Sequence, residues 1–363
     1  MKKTRLLGCI AAAIMLSGSA VAQNNGGIDS QMLKELSESY KPTTAEKALQ
    51  NILLSQPIKG LALNQENLNE LDTYFSHSVP SKGITNQKSS GRCWLFTGLN
   101  VMRAKMIASE NLGAFEFSQV YNFFFDQLEK ANLFLQAVLD NAGKPMNDQL
   151  VEWLFKHPLS DGGTFCGVQD AVMKYGLVPA EVMPESYNAN NTSRMSVIIT
   201  LKLREYGLEL RKAVADGKKK SAIEARKIEM LSTVYRILAS CLGEPPTKFT
   251  YTMKDAAGKP ISTKEYTPMS FYEEYVGADL RGNYVMLMND PSRPYNKTYT
   301  IDMDRHSYDG EQWTFVNLPM EDIKEMAIAS IKDSTMMYYS CDVGKYLNTK
   351  TGILSMSNFD YES

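Results

Sequence analysis

The sequence predicts an α+β protein, with a mainly helical N-terminal half followed by a strand-rich C-terminal half. Behind Cys93 the apolar residues Leu95, Leu99, Met102 and Met106 recur at helical spacing. Two longer helical runs, Met195 to Val214 and Lys219 to Leu242, flank Asp216-Gly217 and predict a helical hairpin. Beyond Pro245-Pro246 the pattern changes to short alternating runs, Lys248 to Met253 and Ile261 to Tyr266, on either side of an Asp-Ala-Ala-Gly turn. At 363 residues the chain can bury a large two-lobed core.

In chain order, Ser30 to Gln50 reads as helical with a break at Pro42, and Gln65 to Phe75 as a further short helix. Pro80 to Arg92, rich in Gly, Ser and Lys, reads as a loop that delivers the chain to the Cys93 helix, which Gly113 stops. Ser118 precedes an aromatic helix running through Tyr121 and Phe125 towards Leu139. Asn147 to Phe155 is another short helix, and Gly167 to Tyr175 one that ends at Gly176. After the hairpin, Tyr284 to Met288, Lys297 to Met303, Gln312 to Val316 and Met336 to Val343 read as strands, and Met320 to Lys332 as a helix opened by Pro319.

Charge and composition exclude several classes. A net charge of −2 gives no basic field for nucleic acid, and the Lys218-Lys219-Lys220 run with Arg226 and Lys227 reads as a solvated helix face. Residues 1–22 have the form of a bacterial secretory signal peptide. Lys2, Lys3 and Arg5 precede an apolar run from Leu6 to Leu16, and Ala20-Val21-Ala22 makes a small-residue cleavage site. The expected location is therefore periplasmic or secreted. No other apolar run reaches the roughly 18 residues of a membrane span, so no membrane partner is expected after cleavage. Four cysteines remain beyond the leader, Cys93, Cys166, Cys241 and Cys341, too widely spaced for a metal or CxxC redox motif. No metal and no cofactor is expected.

The stretch Gln87-Lys-Ser-Ser-Gly-Arg-Cys93-Trp94 carries the chemistry. A cysteine at the head of a helix meets unpaired backbone N–H groups and the positive end of the helix dipole, which stabilise a thiolate. Gln87, six positions upstream, supplies an amide able to donate to a developing oxyanion, and Trp94 can wall the site from water. Downstream, Gly162 and Gly163 in Asp161-Gly162-Gly163-Thr164 would let a substrate backbone lie against the protein. Cys166 reads as a packed residue. Histidine is scarce: His77 precedes the cysteine loop, His157 is followed by Pro158, and His306 lies in a polar segment and reads as a surface histidine. Asn317, Asn348 and Asn358 lack the Asn-Ser-Trp context that would orient a catalytic histidine.

Residues Ile84 to Met106 closely resemble the active-site region of the bleomycin hydrolase and aminopeptidase C family, a papain-like branch of the cysteine peptidases in which Gly-Arg-Cys-Trp replaces Gly-Ser-Cys-Trp. The likeness recurs at Lys174 to Pro179, Pro184 to Tyr187, Asn289 to Pro291, Tyr295 to Tyr299, Ile328 to Asp333 and Ser340 to Lys345. It implies a papain-like fold with a helical lobe at about 68–195, a helical-hairpin insertion at about 195–245 and a β-barrel lobe at about 246–363, after an N-terminal extension at 23–67. It also implies Cys93 as nucleophile, Gln87 as oxyanion donor, Trp94, Gly162 and Gly163 at the substrate, peptide substrates, and a homohexamer with the hairpin as a candidate contact.

In the family a His-Ala segment and then an Asn-Ser-Trp-Gly segment follow the region matching Cys341 to Ser363. Neither is present here, so the expectation is a chain interrupted near Ser363, with an incomplete barrel and no catalytic histidine or asparagine of its own. Such a chain would belong to the cysteine aminopeptidases by family yet show little turnover. The alternatives are an inactive papain-like binding protein, or an endopeptidase whose cleft is open at both ends.

Overall fold

The computed structural model describes residues 26–67, 72 and 74–360. The predicted signal peptide lies outside the described residues, as do residues 68–71 and 73 of the helix expected at Gln65 to Phe75. The chain divides into two compact units, one of residues 1–72 with 342–363 and one of Thr73–Cys341.

In the first unit, helices Ser30–Ser39 and Thr44–Leu53 are separated at Pro42, as the sequence indicates. Each has a polar N-cap: Asp29 accepts from Met32 N, and Thr43 forms a capping box with Glu46. The helical turn Ile58–Leu61 follows. Lys59 Nζ donates to the carbonyls of Gly344 (2.6 Å) and Leu347 (3.2 Å), fastening this segment to the last residues of the chain. Buried Asn358 completes the join. Its Nδ2 donates to Tyr346 O and Ile353 O, both at 2.8 Å, and its Oδ1 accepts from Asn67.

The second unit is built on the helix Cys93–Ser109. Its burial runs all round, from Trp94 and Leu95 to Met106 and Ile107, as expected of a helix enclosed in a core. The helix Phe165–Tyr175 crosses it at Gly98. A Cβ built there would sit 2.7 Å from both methyls of Val168, so the two helices meet without a side chain between them. Gly176 ends the second helix at φ +76°, with its α-carbon against the Pro268 carbonyl, a conformation and a contact that suit glycine alone. The aromatic helix Gln119–Asp140 is capped by Ser118, whose Oγ accepts from Tyr121 N. The hairpin helices Ser193–Ala215 and Lys220–Leu242 turn at Gly217 (φ +67°) and bury Leu203, Leu210, Met230, Val234 and Leu238 in the common core.

The strand-rich half is modest. Strands β1 (Phe249–Lys254) and β2 (Pro260–Tyr266) form the expected antiparallel hairpin. It packs on the helix Pro268–Tyr275, which strand periodicity did not reveal and which Thr267 opens in a capping box with Ser270. Strands β3 (Leu287–Met288), β4 (Lys297–Thr300) and β5 (Thr314–Asn317) form a sheet in the order β3-β5-β4, each shorter than its predicted span. The helix at Met320–Lys332 is present. The strand expected at Met336 to Val343 is not. Met336, Met337 and Tyr338 are all half-buried, without the alternation a strand would show, because the Tyr338 ring turns in against Phe165. The chain then makes a helical turn, Val343–Tyr346, and the small pair β6 (Leu347–Asn348) and β7 (Ile353–Leu354).

Gly98 decides how closely the two central helices approach. Valine there gains little in helix propensity and forces its methyls into Val168, which costs about 1–3 kcal/mol. Gly98→Val should lower the midpoint of urea unfolding. An unchanged or raised midpoint contradicts the packing described.

Candidate active site

The loop before Cys93 is held as a knot of short-range hydrogen bonds. Lys88 takes a left-handed conformation at φ +55°, which brings Gln87 and Ser90 face to face. Ser90 Oγ donates to Gln87 O (2.7 Å), and Gln87 Nε2 donates to Ser90 O (2.5 Å). One amide N–H of Gln87 is thus held by the loop, and the other has no hydrogen-bond partner among the described residues.

Arg92, the residue before Cys93, is fully buried. Its guanidinium pairs with both carboxylate oxygens of Glu185 (2.9 and 2.8 Å) and lies between the rings of Phe96 and Phe123. Its Nε also donates to Ser90 Oγ. The bidentate geometry suits arginine and not lysine. It explains why a charged residue stands where a small one would leave the loop loose. The Arg92 carbonyl accepts from Leu95 N and Phe96 N, both at 3.0 Å, so the helix begins at Cys93, which is exposed. Among the described residues the N–H of Cys93 has no partner.

Asp161 ties this loop to the glycine pair. Its carboxylate accepts from Gly91 N (2.6 Å) and Thr192 Oγ1 (2.6 Å), and its carbonyl accepts from Trp94 Nε1 (2.9 Å). Gly162 and Gly163 follow directly. Gly163 is exposed, and a side chain there would collide with Trp94 and with the imidazole of His306. Lys130 Nζ also holds this loop, through Gly162 O (2.7 Å) and Ser160 O (3.1 Å). Beside the loop is a cavity of about 420 Å³, lined by Trp153, Leu154 and His157 as well as Gly162 and Gly163. The structure therefore brings Gln87, Cys93, Trp94, Gly162 and Gly163 onto two interlocked loops.

His306 is where the sequence reading fails. It is 4% exposed and not on the surface. Its Nδ1 faces Asp126 Oδ1 at 2.5 Å, its Nε2 accepts from Thr164 N at 3.3 Å, and its ring meets Trp94 edge to face at 4.7 Å. The polar residues on either side disguised it. The signal that could have found it is the pair Gly163 and Gly167, both of which leave room for the ring. His77 bonds Ser76, and His157 lies against Trp153. None of the three is hydrogen-bonded to Cys93. The asparagines are structural: Asn317 Nδ2 binds the carbonyls of Asp290, Arg293 and Pro294.

Charges around the site are set by burial and pairing. Burial alone would push Asp126 up, but Lys130 and His306 outweigh it and hold the carboxyl below its usual range. Burial pushes the Cys166 thiol up to about 11, against the hydrogen bond from Thr164. It pushes Tyr338 up to about 12, with the thiols of Cys93 and Cys166 adding to it. Tyr338 thus stands near Cys93, in ring contact with Phe165. Among the described residues no group of His, Cys, Asp and Glu could hold a metal ion, and no helix is long and apolar enough to cross a membrane.

A cysteine opening a buried helix, next to a tryptophan pinned to a glycine-glycine loop, defines the class of papain-like cysteine peptidases. The model of the Peptidase C1-like family matches residues 27–363, and the chain belongs to that family. It is 36% identical to mouse bleomycin hydrolase over 347 residues, covering 93% of this chain and 76% of the relative. It is 38% identical to aminopeptidase C of Lactobacillus delbrueckii subsp. lactis over 287 residues, 78% of this chain and 64% of the relative. The crystal structure of pepw from Lactobacillus rhamnosis HN001 superposes with a TM-score of 0.80 at 36% identity, covering 85% of this chain and 70% of that one.

The site holds one exposed thiol, Cys93, and one buried thiol, Cys166. At about pH 8 only roughly one Cys166 in a thousand is a thiolate, and it is buried besides. Iodoacetamide followed by peptide mapping should modify Cys93 and leave Cys166 untouched in the folded chain. Equal labelling of the two would refute the burial assigned to Cys166.

Proposed function

We propose that the protein is a cysteine-type aminopeptidase of the bleomycin hydrolase kind, with Cys93 as nucleophile. The observation that carries this reading is the clamp of Asp161, which places an exposed thiol at a helix head beside the Gly162-Gly163 strand. A peptide lying along that strand would present its carbonyl to Cys93 Sγ. The thiolate attacks the carbonyl carbon, and the oxyanion is met by the Cys93 N–H and the free N–H of Gln87. The acyl-enzyme forms as the amine leaves with a proton, and water then releases the acid. The names of the relatives support removal of N-terminal residues.

The proton transfers need a general base. All three histidines of the sequence are engaged away from Cys93, so we infer that these 363 residues by themselves turn over peptides poorly. The same engagement favours a second reading, a binding protein that keeps the cleft without the chemistry. The leader-like residues 1–22 support export, which would start the mature chain at Gln23. Exposed Val197, Leu201 and Leu208 on the hairpin support a homo-oligomer.

Aminoacyl-coumarin amides and their N-acetylated counterparts test the assignment. The expected outcome is slow hydrolysis of the free-amine substrates, none of the acetylated ones, and complete loss in Cys93→Ala. Cleavage of acetylated substrates would instead indicate an endopeptidase, and activity surviving Cys93→Ala would sink the nucleophile. No turnover alongside tight peptide binding would favour the binding protein. N-terminal sequencing and light scattering of the exported protein check the start at Gln23 and the oligomer.

A further inference from the structure

We propose that Lys130 is a positioning residue for peptide binding: it holds the Gly162 carbonyl on the protein side of the loop and so turns the Gly163 N–H outward, where Gly163 pairs through its backbone with one residue of an extended peptide. The inference rests on the reading of Gly162 and Gly163 as the peptide-facing segment.

The backbone groups of the loop, taken in order, leave one residue unpaired. The Asp161 carbonyl accepts from Trp94 Nε1 (2.9 Å), Gly162 N donates to Ser160 Oγ (3.1 Å), and the Gly162 carbonyl accepts from Lys130 Nζ (2.7 Å). Thr164 N meets His306 Nε2 at 3.3 Å. Between them, the N–H and the carbonyl of Gly163 have no hydrogen-bond partner among the described residues. An exposed residue with both groups free is the unit that an extended peptide engages at a sheet edge. Gly163 offers the peptide its backbone alone, because a side chain there would point at Trp94 and His306.

Lys130 sets that orientation. In a trans peptide the C=O and N–H point to opposite edges of the plane, so the direction of the Gly162 carbonyl fixes that of the Gly163 N–H. The three N–H bonds of the ammonium meet three acceptors: Gly162 O (2.7 Å), Ser160 O (3.1 Å) and Asp126 Oδ2 (2.9 Å). Its side chain is 11% exposed and Asp126 is buried, so this lysine is committed to the loop and is not a solvated surface charge. The ammonium also lies over the Trp94 ring, 5.3 Å from its centroid. A hydrogen bond from a charged donor is about twice as strong as one between neutral groups, which keeps the Gly162 peptide plane from turning over.

Gly followed by Gly occurs only at Gly26-Gly27 and Gly162-Gly163. With glycine as the sole isotope-labelled amino acid, at its carbonyl carbon and its nitrogen, carbonyl-edited amide NMR spectra show those two pairs alone. One signal reports the Gly162 carbonyl and the Gly163 N–H together, and the other is the internal reference. In the full chain carrying Cys93→Ala to prevent turnover, trialanine amide at one fixed pH should move the Gly163 proton downfield and leave Gly27 in place. Lys130→Met removes the donor, and Lys130→Met with Asp126→Asn removes the buried carboxylate along with it. In both, the Gly162 carbonyl should shift, the Gly163 response should disappear, and the peptide should bind about fivefold more weakly, the worth of one hydrogen bond. A folded variant in which Gly163 responds as in the parent overturns the role of Lys130. Peptide binding in the parent, seen by saturation transfer to the peptide, without a Gly163 response overturns the outward N–H and leaves the assignment of Cys93 intact. No binding at any concentration overturns the inference and the peptide-facing reading with it. If neither variant folds, the Gly163 response of the parent alone decides.

Discussion

The clamp made by Asp161 is the constraint on which the rest of the site depends. One residue holds the amide before Arg92 through its carboxylate and the indole after Cys93 through its carbonyl. The loop before Cys93 and the Gly162-Gly163 segment are therefore tied to one another. Hydrogen bonds of this kind contribute only about 1 kcal/mol each to stability. Their greater effect is geometric, since reacting groups must be held within a fraction of an ångström. Thr192 extends the clamp to the start of the hairpin insertion, so a helix pair remote from the chemistry is tied to it by a single hydroxyl.

Arg92 makes the complementary anchor below the loop. A fully buried guanidinium is expensive unless paired, and here Glu185 answers it with both oxygens while two aromatic faces cover the rest. The pair adds specificity more than stability: a loop whose charge can be satisfied in only one place has one conformation. Together the two anchors leave Cys93 exposed at the head of a helix whose other residues are enclosed.

Much of this was legible in the sequence. The helix at Cys93–Ser109, the hairpin helices and the β1–β2 hairpin follow from period and turn chemistry, and the cysteine loop from its residue types. What local patterns could not show is what depends on distant partners. Asp161 reads as the start of a turn until Gly91 and Trp94 are seen against it. His306 reads as surface because Asp304, Arg305 and Ser307 surround it in sequence, while the groups that bury it come from two helices more than 100 residues earlier. Tyr338 reads as a strand residue because its alternative, packing on Phe165, is a tertiary contact.

The histidine question thus has a physical answer within these residues. An imidazole can serve as a base only if one nitrogen is free to face the thiol. Both nitrogens of His306 are occupied, one by a buried carboxylate and one by a backbone N–H, and its ring lies behind Trp94. Moving it to Cys93 would strip Asp126 of a partner in a fully buried setting and leave a void between two glycines, a cost of several kcal/mol. The ring is therefore committed to Asp126 and Thr164. Cys93 keeps an exposed thiol at the head of a helix, and for the nucleophile proposed here proton transfer falls to a group other than these three histidines.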